Sequence, residues 1–156
     1  MLGKQNPYEH SLKAPLILVG PGIPKNETRE ELVYLQDVMP TSLELAGLTP
    51  PDTVEFKSLL PLVKQDANAQ RRSEALGAYL NCQRMIRVKN EKLIVYPGSK
   101  TIRYFNLKND PLEKEDLAGD ATHRKRMAEL LALMKVKLKE EGDPLDLTKL
   151  NLSALN

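Results

Sequence analysis

Apolar and polar positions divide the chain into a few readable segments. Ala14-Pro15-Leu16-Ile17-Leu18-Val19-Gly20 is a short, unbroken apolar run closed by Gly20-Pro21-Gly22. A run without alternation predicts a strand buried on both faces, as in a parallel or mixed sheet. Such a strand needs neighbours on both sides, and the chain offers few. Residues 21–33 read as a loop rich in Pro, Gly and charge. Asp37 then predicts a helix N-cap, with Pro40 in the first turn, where its missing N–H does no harm. Met39, Leu43 and Ala46 would share one face, and Gly47 followed by Pro50-Pro51 would end the helix. Ser58–Val63 is apolar but interrupted by Pro61, which predicts a short helix or turn. Residues 64–73 read as a polar linker or exposed loop.

A second unit begins near Glu74. Strands are expected over Ala75–Leu80, over Arg84–Lys89 with Ile86 and Val88 on one side, over Lys92–Tyr96 with Leu93 and Val95 on one face, and over Thr101–Leu107. Turns at Asn90-Glu91 and at Pro97-Gly98-Ser99-Lys100 make this an antiparallel meander. Asp120 is the expected cap of a final helix. Met127, Leu130, Leu131, Met134 and Leu138 recur at helical spacing, while Arg124, Lys125, Lys135 and Lys139 lie off that stripe. Gly142 and Pro144 end the helix, which should cover one face of the meander. Leucines at 145, 147, 150, 152 and 155 keep no clean period, so the tail reads as a strap or a frayed end.

Composition removes several function classes. The chain has 156 residues, 41% hydrophobic and 28% charged, which is ordinary globular usage. No stretch approaches the roughly 18 apolar residues of a membrane-spanning helix, and no basic segment precedes an apolar one as in a signal peptide. A net charge of +2 with 5 Tyr, 2 Phe and no Trp argues against a nucleic-acid partner. No membrane partner is expected either. Cys82 stands alone, so no internal disulfide forms, and no Cys/His cluster suggests a metal.

Candidate chemistry is sparse. Ser11 beside His10 is adjacency rather than a triad, and no phosphate-binding glycine loop occurs. His123 reads as solvated, Arg71-Arg72 as a solvated linker feature, and Cys82 as a half-buried strand-end residue without a cation to activate it. One cluster stands apart: Gly3-Lys4-Gln5-Asn6-Pro7-Tyr8-Glu9-His10 gathers a lysine, two amides, a phenol, a carboxylate and an imidazole just before the apolar run. Loops held by a rigid sheet are where functional groups are displayed. A lysine there can meet a tetrahedral anion as a point charge. A disordered N-terminal tail is the competing reading of the same residues.

At this cluster the chain resembles the sulfatase family of the alkaline-phosphatase-like superfamily. Gly3-Lys4-Gln5-Asn6-Pro7-Tyr8-Glu9 is similar to its G-K-x-x-x-Y-E stretch, which precedes an arginine, a proline and a buried strand. Asp37-Val38-Met39-Pro40-Thr41 through Ala46-Gly47 resembles the D-x-x-P-T-x-x-x-x-A-G helix. Lys57-Ser58-Leu59-Leu60-Pro61-Leu62 resembles G-x-S-L-x-P-L. Phe105-Asn106-Leu107 through Asp110-Pro111 to Leu117-Ala118 resembles L-Y-D-L-x-x-D-P-x-E-x-x-N-L-A. Four motifs in order cover nearly the whole chain. Lys13 stands where arginine is usual, Phe56 where glycine is frequent, Asn106 where Asp is usual and Pro7 where an aliphatic residue is common. These departures bear on local loop geometry.

The resemblance implies an α/β fold class. Residues 1–70 would be the end of an alkaline-phosphatase-like catalytic domain, and residues 71–156 a small antiparallel meander packed against a long C-terminal helix. It implies the C-terminal portion of a sulfuric ester hydrolase. Lys4 matches the lysine that contacts the substrate sulfate and is the expected catalytic residue; Lys4 and His10 are the expected substrate-binding residues. Tyr8 and Glu9 are expected to fix the loop. The family's formylglycine, made from a C/S-x-P-x-R motif, and its calcium ion are expected in a preceding part, as is any export signal. Cys82-Gln83-Arg84-Met85 does not fit that motif. The expected partner is a sulfated small molecule or carbohydrate, and the apolar run predicts homo-oligomerisation through an exposed sheet edge. The alternatives are a non-catalytic truncated domain and a phosphonate or phosphate monoester hydrolase of the same superfamily.

Overall fold

A computed structural model describes residues 5–147. Helix α1 spans Glu9–Leu12, α2 Val38–Leu45, α3 Leu60–Val63 and α4 Arg124–Glu140; strands β1 to β4 span Glu74–Tyr79, Gln83–Val88, Glu91–Tyr96 and Thr101–Asn106. The residues group into two compact units, 14–73 and the combination of 5–13 with 74–147. No helix among the described residues is long and apolar enough to cross a membrane.

In the larger unit the strands form one antiparallel sheet in the order β1-β2-β3-β4, the expected meander. The β2–β3 turn is Lys89-Asn90, with Val88 paired to Glu91, so it falls one residue before the expected position. Lys89 takes a positive φ of 53° there. Alternation sends Ile86, Leu93, Val95, Ile102 and Tyr104 to one face, where they meet Met127, Leu130, Leu131, Met134 and Leu138 of α4. All five stripe residues are buried. The helix ends as the sequence indicates: Gly142 has φ +68°, and the Asp143 N–H reaches back to the Leu138 carbonyl at 2.8 Å. Leu147 returns to the same core. The rest of the leucine-rich tail lies outside the described residues. The opposite sheet face carries Met85, Ile94, Phe105 and Leu107, against which Tyr8 and Tyr96 pack.

The smaller unit differs from expectation in three places. Residues 14–20 form no strand; Ile17 is 83% exposed and Val19 91%. A strand needs a neighbour to take its backbone hydrogen bonds, and the sheet of the described residues does not include this run. Helix α2 forms where expected and closes at Gly47, φ +72°, with the Leu48 N–H on the Leu43 carbonyl. Its buried face, however, is Pro40 and Thr41, while Met39 and Leu45 stay exposed. A polar network sets that face. The Thr41 hydroxyl donates to the Asp37 carbonyl at 2.6 Å and accepts the Leu59 N–H at 2.8 Å. Third, Arg72 is no solvated linker residue. Its guanidinium makes two 2.7 Å bonds to the carboxylate of Asp37, which is fully buried, and lies 4.8 Å over the Tyr34 ring. Asp37 directs its side chain to the Tyr34 N–H at 2.7 Å, so the capping bond belongs to the 3-10 turn ahead of α2.

Candidate functional site

The segment 5–12 is fastened to the sheet face opposite α4. Asn6 is buried, and its Oδ1 accepts from the Tyr8 N–H at 3.1 Å and the Ser11 hydroxyl at 3.0 Å, a turn that asparagine makes with its own downstream backbone. Pro7 is fully buried. The Tyr8 ring meets Phe105 edge-on at 5.7 Å and stacks on His10 at 5.9 Å.

Glu9 supplies the strongest tie. Its carboxylate lies 2.9 Å from Lys92 Nζ and 3.0 Å from Arg87 Nη1, and its N–H donates to Glu113. Lys92 is fully buried and also lies 2.9 Å from Glu113 Oε1, a close ion pair rather than an aligned hydrogen bond. Two carboxylates thus face two cations. Buried charge persists only when paired in this way, because the desolvation of each ion must be offset locally. The segment is held by both its main chain and its side chains.

Beside it opens a cavity of about 340 Å³ lined by Gln5, Tyr8, Gln83, Tyr96, Thr101 and Arg103 among others. Residues 83, 96, 101 and 103 reach it because they share the register of Ile94 and Phe105, away from α4. Burial, and then the hydrogen bond with the Tyr8 phenol, push the Tyr96 phenol well above the ordinary tyrosine value. Arg103 donates to Asp116 at 2.7 Å. Gln83 Oε1 is buried without a hydrogen-bond partner.

Among the residues expected to act, Lys4 lies outside the described residues; Gln5, next to it, is exposed and lines the cavity. His10 is exposed on α1 and is not among the lining residues. His123 lies 5.3 Å from the Tyr104 ring and 3.8 Å from Asp120. Cys82 is exposed in the β1–β2 turn rather than half-buried at a strand end, because the strand stops at Tyr79. Among the described residues no group of three or more His, Cys, Asp or Glu could hold a metal ion. Sequence reasoning passed over Lys92, Arg87, Glu113, Gln83, Tyr96 and Arg103. One signal was present: Leu93-Ile94-Val95 is continuously apolar, the mark of a strand covered on both faces.

Comparison with known proteins agrees with this layout. The family described as N-sulphoglucosamine sulphohydrolase, C-terminal, matches residues 1–141. An arylsulfatase of Clostridium perfringens is 29% identical over 157 aligned positions, covering 91% of this chain and 32% of the relative. A protein solved in complex with its substrate D-glucosamine-2-N,6-O-disulfate superposes with a TM-score of 0.59 and 26% identity, over 69% of this chain and 24% of that one. A phosphonate monoester hydrolase from Silicibacter pomeroyi shares the fold, with a TM-score of 0.72 and 21% identity over 94% of this chain and 32% of its own. The chain therefore spans between 24% and 32% of the length of these three proteins. With its meander, its long covering helix and a match over residues 1–141, the chain belongs to the sulfatase family as a C-terminal region of the N-sulphoglucosamine sulphohydrolase type.

Proposed function

We propose that this chain is the C-terminal part of a sulfatase acting on a sulfated carbohydrate or another sulfated small molecule, and that it brings Lys4 to the substrate sulfate. The observation that carries the reading is the family match over residues 1–141, which takes in Lys4 and the segment anchored through Glu9. Hydrolysis of a sulfate ester builds negative charge on the sulfate and leaving-group oxygens, and a positioned ammonium stabilises it. The tie of Glu9 to Lys92 and Arg87 gives the stretch after Lys4 a fixed seat. His10, exposed beside Tyr8, is the second substrate-binding residue of this reading. The relative solved with a sulfated glucosamine supports a carbohydrate as the substrate class.

In this reading residues 1–70 end the catalytic α/β domain and 71–156 form the substrate-shaping subdomain. The nucleophile and the calcium ligands belong to a segment outside these 156 residues, so the isolated chain is inactive. It has neither nucleic acid nor a membrane as partner, and it self-associates through residues 16–19.

The test has two arms. The pure chain, given calcium and an aryl sulfate, should show no turnover. A chimera in which it replaces the matching C-terminal region of the Clostridium perfringens arylsulfatase should hydrolyse the same ester, and Lys4→Ala in that chimera should lower kcat about a hundredfold. Turnover by the chain alone, or full activity of the Lys4→Ala chimera, would overturn the reading. Preference of the chimera for phosphonate or phosphate monoesters would favour the other activity of the superfamily.

A further inference from the structure

We infer that Glu113 is a positioning residue for the sulfate-ester reaction: by accepting the Glu9 N–H it fixes the main chain that runs back to Lys4. The inference rests on the sulfatase reading for the role of Lys4, and on the geometry of residues 6–9 for the rest.

Helix α1 creates the need. The first N–H groups of a helix have no acceptor within it, and Tyr8, at the cap position, offers no side-chain bond. The Glu9 N–H donates instead to Glu113 Oε2, 104 positions along the chain. Lys92 and Arg87 hold the Glu9 carboxylate. Several rotatable bonds separate that carboxylate from its own backbone, so those ties fix the end of the side chain more firmly than the main chain. A bond to the N–H acts on the main chain itself. From Glu9 the constraint passes towards the N-terminus. The Tyr8 ring is held edge-on by Phe105, and the Tyr8 N–H reaches Asn6 Oδ1. Only Gln5 then separates the fixed stretch from Lys4.

The loop that carries Glu113 presents it in one geometry. Glu113 has φ +54°, a left-handed backbone unfavourable to a residue with a Cβ, and such a conformation persists where the surroundings enforce it. Here the Glu113 N–H donates to the Asp110 carbonyl at 3.2 Å, and Asp110 Oδ2 accepts the Glu115 N–H at 2.8 Å, so the turn is closed on both sides of the residue. The Glu113 side chain is almost wholly buried, and Lys92 Nζ, 2.9 Å from its Oε1, balances its charge. Charge and reach can be separated. An aspartate on the same backbone keeps the charge but ends one methylene short of the Glu9 N–H. A glutamine keeps the reach and an acceptor oxygen without the charge.

Those two variants make the test. In the full 156-residue chain, the amide heteronuclear NOE at Asn6 and Tyr8, which reads motion on the ps–ns scale, should fall in Glu113→Asp and stay near the parent in Glu113→Gln. Leu93 and Leu130 should keep theirs in both, showing the core intact. In the chimera with the Clostridium perfringens arylsulfatase, Glu113→Asp should lower kcat about tenfold and Glu113→Gln less than about threefold, with KM little changed in either. If Glu113 acts through Lys4, the loss from Glu113→Asp should shrink to less than about twofold in a Lys4→Ala chimera, whereas a purely structural contribution would add undiminished. An unchanged NOE at Asn6 and Tyr8 in Glu113→Asp, a Glu113→Gln variant as impaired as Glu113→Asp, or the same loss persisting beside Lys4→Ala would overturn the inference. The NOE measurement needs no turnover, so it can fail while the sulfatase reading stands; Lys4→Ala without effect on kcat would overturn both.

Discussion

Lys92 holds its ammonium 2.9 Å from the Glu9 carboxylate across 83 positions of sequence, with none of the lysine side chain exposed. The same nitrogen lies 2.9 Å from Glu113. Lys92→Met would leave two buried carboxylates facing each other with Arg87 as their remaining cation, and breaking one partner out of such a group costs about 3–5 kcal/mol. Chemical denaturation of the larger unit, followed by the tyrosines, should show a loss of that order. The double variant Lys92→Met with Glu113→Gln should recover part of it, since it removes one unpaired charge. A single variant as stable as the parent would show that the cluster does not hold the segment.

Arg72 and Asp37 make the corresponding link in the smaller unit, through a two-pronged bond to a carboxylate with no exposure. Arg72→Lys keeps the charge but loses the fork, and Arg72→Met loses both. Amide hydrogen exchange at Tyr34 and Lys57, whose N–H groups point at Asp37, reads this directly. Exchange at both should speed up in Arg72→Met, consistent with a cost of about 3–5 kcal/mol for stranding a buried charge. The lysine variant should rescue only part. Unchanged protection in Arg72→Met would count against the link.

These two clusters also show where sequence reading stops. The α4 stripe repeats every three or four residues, so Met127 to Leu138 announce both the helix and its buried face. Alternation at Ile86, Val88, Leu93 and Val95 marks the meander and the face under α4. The Lys92 cluster joins positions 9, 87, 92 and 113, and the Asp37 cluster joins 34, 57 and 72; no local period connects residues so far apart. For that reason Arg72 reads as a linker charge until its partner is seen. Helix α2 misleads in the same way, since Thr41 and Asp37 rather than Met39 decide which side is covered. The cavity residues are scattered over 5, 8, 83, 96, 101 and 103, and register alone places the last four together.

Acid should weaken the larger unit through two carboxylates. The Asp143 carboxyl is held below its ordinary value first by its hydrogen bonds from Arg84, against the opposing effect of burial. Glu91 is lowered chiefly by Arg126, with help from the Tyr104 hydroxyl. A carboxyl whose folded value is depressed stabilises the fold above its unfolded value and loses that contribution as pH falls through the folded one. Stability should therefore decline below about pH 4, where unfolded carboxylates begin to take up protons first. Asp143→Asn and Glu91→Gln should each lower stability at pH 7 and flatten the decline in acid, as read from thermal melts between pH 2 and 7. A melt as steep in both variants as in the parent would rule out these two groups as its source.

Ile17 and Val19 present the other consequence of the fold, since both are almost wholly exposed in a run that takes part in no sheet. Adjacent apolar side chains on a segment with unpaired backbone groups form a template for pairing with another chain. Sedimentation of the 156-residue chain should show association that grows with concentration. Ile17→Asp with Val19→Asp should abolish it, because two charges on one face of the extended run make its burial against a partner costly while touching none of the buried residues of either unit. Hydrogen exchange at 16–19 should be fast at low concentration and slow once association sets in, which ties the event to this run. A monomer at all concentrations with protected amides at 16–19 would mean that the run is already covered within the chain.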